Sequence, residues 1–339
     1  AAMARAAVRT LDLPDARDQA LSIDVLGGGG GQELAVVTEL GYLCRWDLRA
    51  GGGAEGARPA AFGRLSRDLE ATSVATRPKS EEEVFVSLGP QVRAYDWRRL
   101  DTLADDDAAA AVRVVAESAS GEDVNHVALH QDGTFLAAGD DEGEVQVVSL
   151  KEGKVFKHLK RGGHTSICSS VAFRPRQPWE LVSGGLDCNV LVWDFSRGKT
   201  RLALDAASTA PMKETDSQVF NPPMVHAVAV PSCRDLANHV AAARGDAKIA
   251  LYDISGKGAK ALQRTYLLDD LGEGHSASVG HVTFARYCGE RCLVSGGNDG
   301  KVVLWNWREC TVAWSHKHGK KINWTATTEG AQDNIIVAD

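Results

Sequence analysis

Ser183-Gly184-Gly185-Leu186-Asp187-Cys188-Asn189-Val190-Leu191-Val192-Trp193 and Ser295-Gly296-Gly297-Asn298-Asp299-Gly300-Lys301-Val302-Val303-Leu304-Trp305 align without a gap. Each reads as the end of one strand, a tight turn holding Asp, and a second apolar strand that ends in Trp. Self-similarity at a fixed period is the mark of a repeat architecture. Weaker copies end at Trp46, Tyr95, Val148 and Tyr252, so the six anchors stand 49, 53, 45, 59 and 53 residues apart. A four-stranded propeller blade takes about 40–45 residues, and loop insertions supply the excess. Further apolar strands lie upstream of most anchors, at 73–75, 124–129, 170–173, 225–230 and 279–284. A seventh unit opens at Ile322-Asn323-Trp324 and continues in 334–338. The expectation is an all-β, seven-bladed propeller, residues 1–339 forming one domain. Its last blade is expected to be incomplete, with 7–13 as the strand the N-terminus offers towards closing it.

The recurring residue types follow from hydrogen-bonding valence. Gly163-His164 and Gly274-His275 precede the two full copies. An indole only donates, a hydroxyl does both, a neutral imidazole offers one of each, and a carboxylate only accepts. Trp193, Ser183, His164 and Asp187 can therefore close one chain of hydrogen bonds inside a blade. Trp305, Ser295, His275 and Asp299 can close its twin. In the copy ending at Val148 the pattern decays, with Glu142 in place of Asp. The weaker blades are then expected to hold by packing alone.

Composition narrows the function classes. The 339 residues are 44% hydrophobic and 24% charged, enough apolar side chain for a sizeable core. The net charge of −7 leaves no basic stripe for nucleic acid or for an anionic membrane surface. No apolar run approaches the roughly 18–20 residues of a membrane span, and 1–15 has no continuous apolar core of a secretory signal. Seven cysteines, an odd number scattered through apparent strands, suit a reducing compartment, so the expected location is intracellular, cytoplasmic or nuclear.

Catalytic readings fare poorly. Ser, His and Asp occur together, but the set appears twice, displaced by 111 residues at His and 112 at the others. A triad has no reason to be duplicated so, and no Gly-x-Ser-x-Gly elbow surrounds either serine. The run Gly27–Gly31 lacks the Gly-Lys-Ser/Thr of a phosphate loop and reads as a surface turn. Cys288, Cys292 and His281 match no common zinc spacing. Residues 105–107 and the polar stretch 200–218 read as solvated loops. No catalytic residue, metal or cofactor is expected.

These tetrads resemble those of the WD40-repeat superfamily. Ile167-Cys168-Ser169-Ser170-Val171-Ala172-Phe173-Arg174-Pro175, Gly296-Gly297-Asn298-Asp299-Gly300-Lys301, and Gly319-Lys320-Lys321-Ile322-Asn323-Trp324 with Ile335-Ile336-Val337-Ala338-Asp339 resemble one branch of it. The likeness extends over roughly residues 120–339 and is loose before that. What it implies is a substrate receptor for cullin-4 ubiquitin ligases, docking on their DNA-damage-binding adaptor. The docking signature is an aromatic, Asp, any residue, then Arg, at the end of a blade's third strand. It occurs as Trp46-Asp47-Leu48-Arg49 and as Tyr95-Asp96-Trp97-Arg98, in consecutive blades. Trp193-Asp194-Phe195-Ser196 fails it, and Trp305-Asn306-Trp307-Arg308 lacks the Asp. The same Arg serves elsewhere as a plain turn residue, so both readings stand.

The opposite face is expected to hold what is recognised. The channel strands begin there with polar residues, Thr72, Asn125, Ser169, His226 and Asn323. They form either a peptide- or protein-reading ring or the wetted mouth of a propeller, and the acidic turn 140–142 nearby gives only weak support to a basic ligand. A ligase receptor and a general scaffold or peptide reader are thus the two functional readings, with proteins as partners in both.

Overall fold

Each repeat builds its sheet from strands of two kinds. The middle strands, such as Glu180–Gly185 and Asn189–Asp194, are buried on both faces because sheets pack on either side. The outer strands Lys199–Asp205 and Thr311–Lys317 alternate between exposed and more buried positions, since only one of their faces meets a neighbour. The computed structural model describes residues 12–26, 33–48, 58–77, 83–102, 113–209, 221–255, 265–268, 274–328 and 335–339.

The first sheet is β1 (Ala20–Val25), β2 (Glu33–Thr38), β3 (Tyr42–Asp47) and β4 (Ala61–Arg64). The second is β5 (Ala71–Thr76), β6 (Glu83–Leu88), β7 (Gln91–Asp96) and β8 (Arg113–Glu117). The third is β9 (Val124–Leu129), β10 (Phe135–Asp140), β11 (Val145–Ser149) and β12 (Lys154–Leu159). The fourth is β13 (Cys168–Phe173), β14 (Glu180–Gly185), β15 (Asn189–Asp194) and β16 (Lys199–Asp205). The fifth is β17 (Val225–Ala229), β18 (His239–Arg244), β19 (Ile249–Asp253) and β20 (Thr265–Leu268). The sixth is β21 (Val279–Phe284), β22 (Cys292–Gly297), β23 (Lys301–Asn306) and β24 (Thr311–Lys317). A last, two-stranded sheet is β25 (Trp324–Thr327) with β26 (Ile335–Ala338). All pairings are antiparallel meanders, and all six repeat anchors fall on third strands.

The first strands form a ring. β1, β5, β9, β13, β17 and β21 each pack on the next, β21 packs on β25, and β25 returns to β1. Ala20 N–H donates to the Asp339 carbonyl at 3.2 Å, and the Asn323 amide donates to the Ala20 carbonyl at 3.1 Å. Ala326 and Ala338 share a core with Ile23, Val25, Leu34 and Trp46 of the first blade.

Seven blades was one too many. The molecule has six four-stranded blades and a partial seventh sheet that closes the ring with two strands. Beyond β24 the described chain supplies only two strand segments, and no strand precedes β1 among the described residues. Residues 7–11 of the expected N-terminal strand lie outside them. The stretch 200–218, expected as loop, begins as strand β16, whose Leu202 and Leu204 pack inward. Residues 27–31 and 105–107 lie outside the described residues. Among the described residues no helix is long and apolar enough to cross a membrane.

Candidate functional site

The two tetrads brace the interiors of the fourth and sixth blades. Trp193 Nε1–H donates to Ser183 Oγ at 2.8 Å, and the serine hydroxyl meets His164 Nε2 at 2.8 Å. His164 Nδ1 lies 2.9 Å from Asp187 Oδ1. Because the indole only donates and the carboxylate only accepts, every proton direction along the chain is set. The twin repeats it: Trp305 to Ser295 at 2.8 Å, Ser295 to His275 at 2.7 Å, and His275 to Asp299 at 3.1 Å. A Cβ at Gly185 or Gly297 would overlap the ring of His164 or His275, so glycine there makes room for the imidazole. Burial raises both carboxyl groups, but the histidines and backbone N–H donors outweigh it and hold Asp187 and Asp299 at about 2. The sets occupy blade interiors, with His164 and Asp187 side chains 0% and 5% exposed, and none of their residues lines the cavity at the mouth of the channel.

The fifth blade fills the same slot differently. Arg244 faces Val225 across the sheet just as Gly185 faces Cys168. Its guanidinium takes Asp246 through Nε at 3.0 Å and Nη2 at 2.6 Å, and its side chain is fully buried. In the third blade Asp140 holds that register and accepts from Ser118 Oγ at 3.0 Å. These blades therefore do not hold by packing alone. The Arg244-Gly245-Asp246 alignment with Gly185-Leu186-Asp187 was the available sequence signal.

The mouth depends on a repeated irregularity. All six full blades carry a β-bulge at the second residue of the first strand: Leu21, Thr72, Asn125, Ser169, His226 and Gly280. A bulge leaves one residue unpaired and re-aims its side chain. All six line one cavity of about 370 Å³, together with Asn323 of the seventh sheet. That is at the small end of the range of ligand pockets, and the cavity is open to solvent. The five polar residues expected at the mouth are all in this lining, and Leu21 and Gly280 complete the set.

Part of that polarity is spent on the ring itself. Thr72 Oγ1 donates to the Val124 carbonyl and Ser169 Oγ to the Val225 carbonyl, each at 2.6 Å, in each case to the next blade. Asn125 instead donates to Asp141 Oδ1 at 2.8 Å. His226 is held below its ordinary value, first by burial and then by Lys321. The residue after each bulge stitches too. Ser22, Ser73, His126, Ser170 and His281 accept the N–H of Val74, Val127, Val171, Val228 and Thr325 in the following sheet, at 3.1–3.4 Å. Ala227 breaks the series.

The cavity floor is aromatic. Trp324 stacks on His281 with centroids 3.9 Å apart and on His126 at 5.4 Å. Burial holds His126 at about 4 and His281 at about 3, the latter pushed further by His126, so both are neutral near pH 7. His126, His281 and Trp324 were not anticipated as site residues. The shared register of Val124-Asn125-His126 and Val279-Gly280-His281 was the signal available for the two histidines. His281 pairs with Gly296 near the far end of β22, which begins at Cys292, and the side chain of Cys288 lies outside the described residues.

On the other face the tandem motif is divided. Trp46 and Tyr95 are buried in their blades, 3% and 0% exposed. Arg98 is exposed in a short 3₁₀ helix, Trp97–Thr102, and its Nε lies 3.2 Å from Asp96 Oδ1. That pairing, with the Arg98 N–H on the same carboxylate at 3.0 Å, is a local turn. Asp47 ends β3, and Arg49 lies outside the described residues.

Comparison with known proteins agrees with the geometry. The family model "WD domain, G-beta repeat" matches residues 153–194 and 267–306, the two tetrad-bearing stretches. The model of the anaphase-promoting complex subunit 4 WD40 domain matches residues 95–173. A Dictyostelium discoideum protein, WD repeat-containing protein 53 homolog, is 25% identical over 253 residues, 64% of this chain and 65% of its own length. Human echinoderm microtubule-associated protein-like 2 is 40% identical over 80 residues, 23% of this chain and 12% of that protein. The chain thus spans less than two thirds of the length of either relative. The solved WD40 beta propeller domain of Doa1 superposes with a TM-score of 0.68 at 14% identity, covering 95% of this chain and 90% of that one, a likeness of fold.

Proposed function

We propose, from the premise that the chain resembles the WD40-repeat superfamily, that it is a non-catalytic protein-interaction module that takes a segment of a partner protein at the mouth of its channel. One observation carries this reading: six bulges, one per blade, turn the same register position of every first strand into a single cavity. Thr72 and Ser169 also serve ring closure, but Asn125, His226 and Leu21 turn side chains into the same opening without bonding the backbone of the next blade. Thr72, Asn125, Ser169, His226 and Asn323 supply polar contacts, Leu21 an apolar one, and Trp324 the floor. Asp141, which orients Asn125, favours a segment with a basic residue.

The finer reading is a substrate receptor docking on the adaptor of cullin-4 ligases through Trp46, Asp47, Arg49, Tyr95, Asp96 and Arg98. It is supported by the tandem placement of the motifs at the ends of β3 and β7 and by the exposure of Arg98. Arginine at such a rim pairs with carboxylates and stacks on aromatics. The local Arg98–Asp96 pair favours the alternative, a scaffold or peptide reader with no ligase link.

Affinity purification with two variants tests both. Asn125→Ala/His226→Ala is expected to lose the mouth partner while retaining the adaptor. Arg49→Ala/Arg98→Ala is expected to do the reverse, each by about thirtyfold in affinity. Unchanged recovery of the adaptor by a folded Arg variant removes the ligase link. Unchanged recovery of every partner by the mouth variant removes the cavity as the recognition site.

A further inference from the structure

Among the described residues only three large apolar side chains are exposed: Phe62, Val114 and Trp179. Trp179 is unlike the other two because it caps a cluster of rings. It stacks on Phe156 with centroids 6.2 Å apart and an interplanar angle of 27°, and lies 5.4 Å from Phe195 and 5.9 Å from Phe135. The Phe195 N–H donates to the Trp179 carbonyl at 3.0 Å, which fixes its backbone. An indole held rigidly from below and 44% exposed above is pre-organised for contact.

Its surroundings are cationic. Lys157 Nζ lies 5.9 Å from the Phe156 ring, and its stem reaches the turn at Gly198. Arg176 stands in the same β13–β14 turn as Trp179, with a φ of 67°. Arg197 and Lys199 follow Asp194, and Arg197 is paired with it at 3.5 Å. Glu180 is taken by Arg174 and Arg201. That leaves Lys157, Arg176 and Lys199 without an ion pair among the described residues. A chain of net charge −7 therefore concentrates unpaired positive charge around its exposed tryptophan.

We infer that this surface docks an acidic peptide segment of another protein, with Asp and Glu flanking an apolar side chain that lies on Trp179. The apolar anchor covers the indole, and the flanking carboxylates meet Lys157, Arg176 and Lys199. Tryptophan and arginine are the residues most often found at such anchors. Nucleic acid is the lesser fit: three unpaired cations supply few of the phosphate contacts that drive such binding, and the rest of the chain repels phosphate. β13 begins at the cavity with Ser169 and ends beside this turn, so the surface lies at the opposite end of the blade from the mouth and does not depend on the cavity being a recognition site.

The test uses a pool of short synthetic peptides with Asp or Glu on both sides of a central Leu or Phe, labelled for fluorescence anisotropy. The whole chain is expected to bind the pool in a salt-dependent way and to ignore the equivalent pool built on Lys. Trp179→Ala is expected to weaken binding about thirtyfold, Trp179→Phe far less. Arg176→Glu/Lys199→Glu, both at exposed positions, is expected to abolish binding and serves as the deciding variant if Trp179→Ala lowers the melting temperature. No saturable binding by the unmodified chain, equal binding by the charge-reversed variant, or displacement of the pool by single-stranded DNA overturns the proposal.

Discussion

Blades four and five fill one slot in opposite ways. In the fourth, a histidine from the preceding loop reaches over Gly185 to the turn's Asp187. In the fifth, no such histidine exists, and Arg244, at the register position of Gly185, reaches forward to Asp246. The turn carboxylate and the need for a donor against it are common to both; only the donor's origin differs. What persists between repeats is thus a physical requirement, a buried acceptor that must be satisfied, rather than a string of letters.

Removing the arginine breaks this comparison hardest. Arg244→Met leaves Asp246 buried and unpaired, and the expected loss is about 3–5 kcal/mol, read from chemical denaturation. A loss under 1 kcal/mol shows that the fifth blade does hold by packing, as its lack of a tetrad suggests.

pH separates the tetrad carboxylates from the channel histidines. His126 and His281 titrate lower in the folded than in the unfolded chain, so the unfolded state takes up protons first. Their contribution is intact above the unfolded value near 6.5 and falls as pH drops, by up to about 2.7 kcal/mol per unit for the two, until the folded values near 4 and 3 are reached. Asp187 and Asp299 act in a lower window: their contribution is present above the ordinary carboxylate value of 3.8 and is lost only as pH falls from there towards 2. Melting temperatures measured from pH 7 to 4.5 should therefore decline steeply in the unmodified chain and much less in His126→Gln/His281→Gln. Parallel profiles exclude the channel stack as the cause.

Within the fourth blade, Trp193→Phe removes the donor and leaves the Ser183 oxygen short of a partner, costing roughly 1–3 kcal/mol. Trp305→Phe in the sixth should match it, and a marked inequality between the twins contradicts the equivalence of their geometry.

The smallest effect sharpens the contrast from the other side. Tyr95 holds the Trp position in the second blade, and its buried hydroxyl has the Arg93 guanidinium beside it but no well-aligned hydrogen bond among the described residues. Tyr95→Phe is expected to change stability by less than about 0.5 kcal/mol, or to raise it. A loss comparable to that of Trp193→Phe reveals a partner for that hydroxyl.

The repeat anchors, the strands that precede them and the makeup of both tetrads were legible because each rests on spacing within one blade. The turn Asp187 and the anchor Trp193 lie close along the chain, and valence dictates how such groups combine. The position of four polar mouth residues was legible for a related reason: Thr72, Asn125, Ser169 and His226 each stand second in a first strand, while Asn323 stands just before β25. His126, His281 and Trp324 were hidden, because their contact joins three sheets across the channel.

By itself, then, the sequence determined the all-β repeat, the place of each third strand and the hydrogen-bonded frame of the fourth and sixth blades. Those features follow from short-range periodicity and side-chain valence. Only the tertiary structure decided that six blades are full and a two-stranded sheet closes the ring. It also decided that Leu21 and Gly280 join the mouth, that Arg244 stands in for a histidine and that Trp324 floors the cavity. Each of those depends on a neighbour brought from another blade. A one-residue bulge, invisible in the letters, determines which side chain faces the channel.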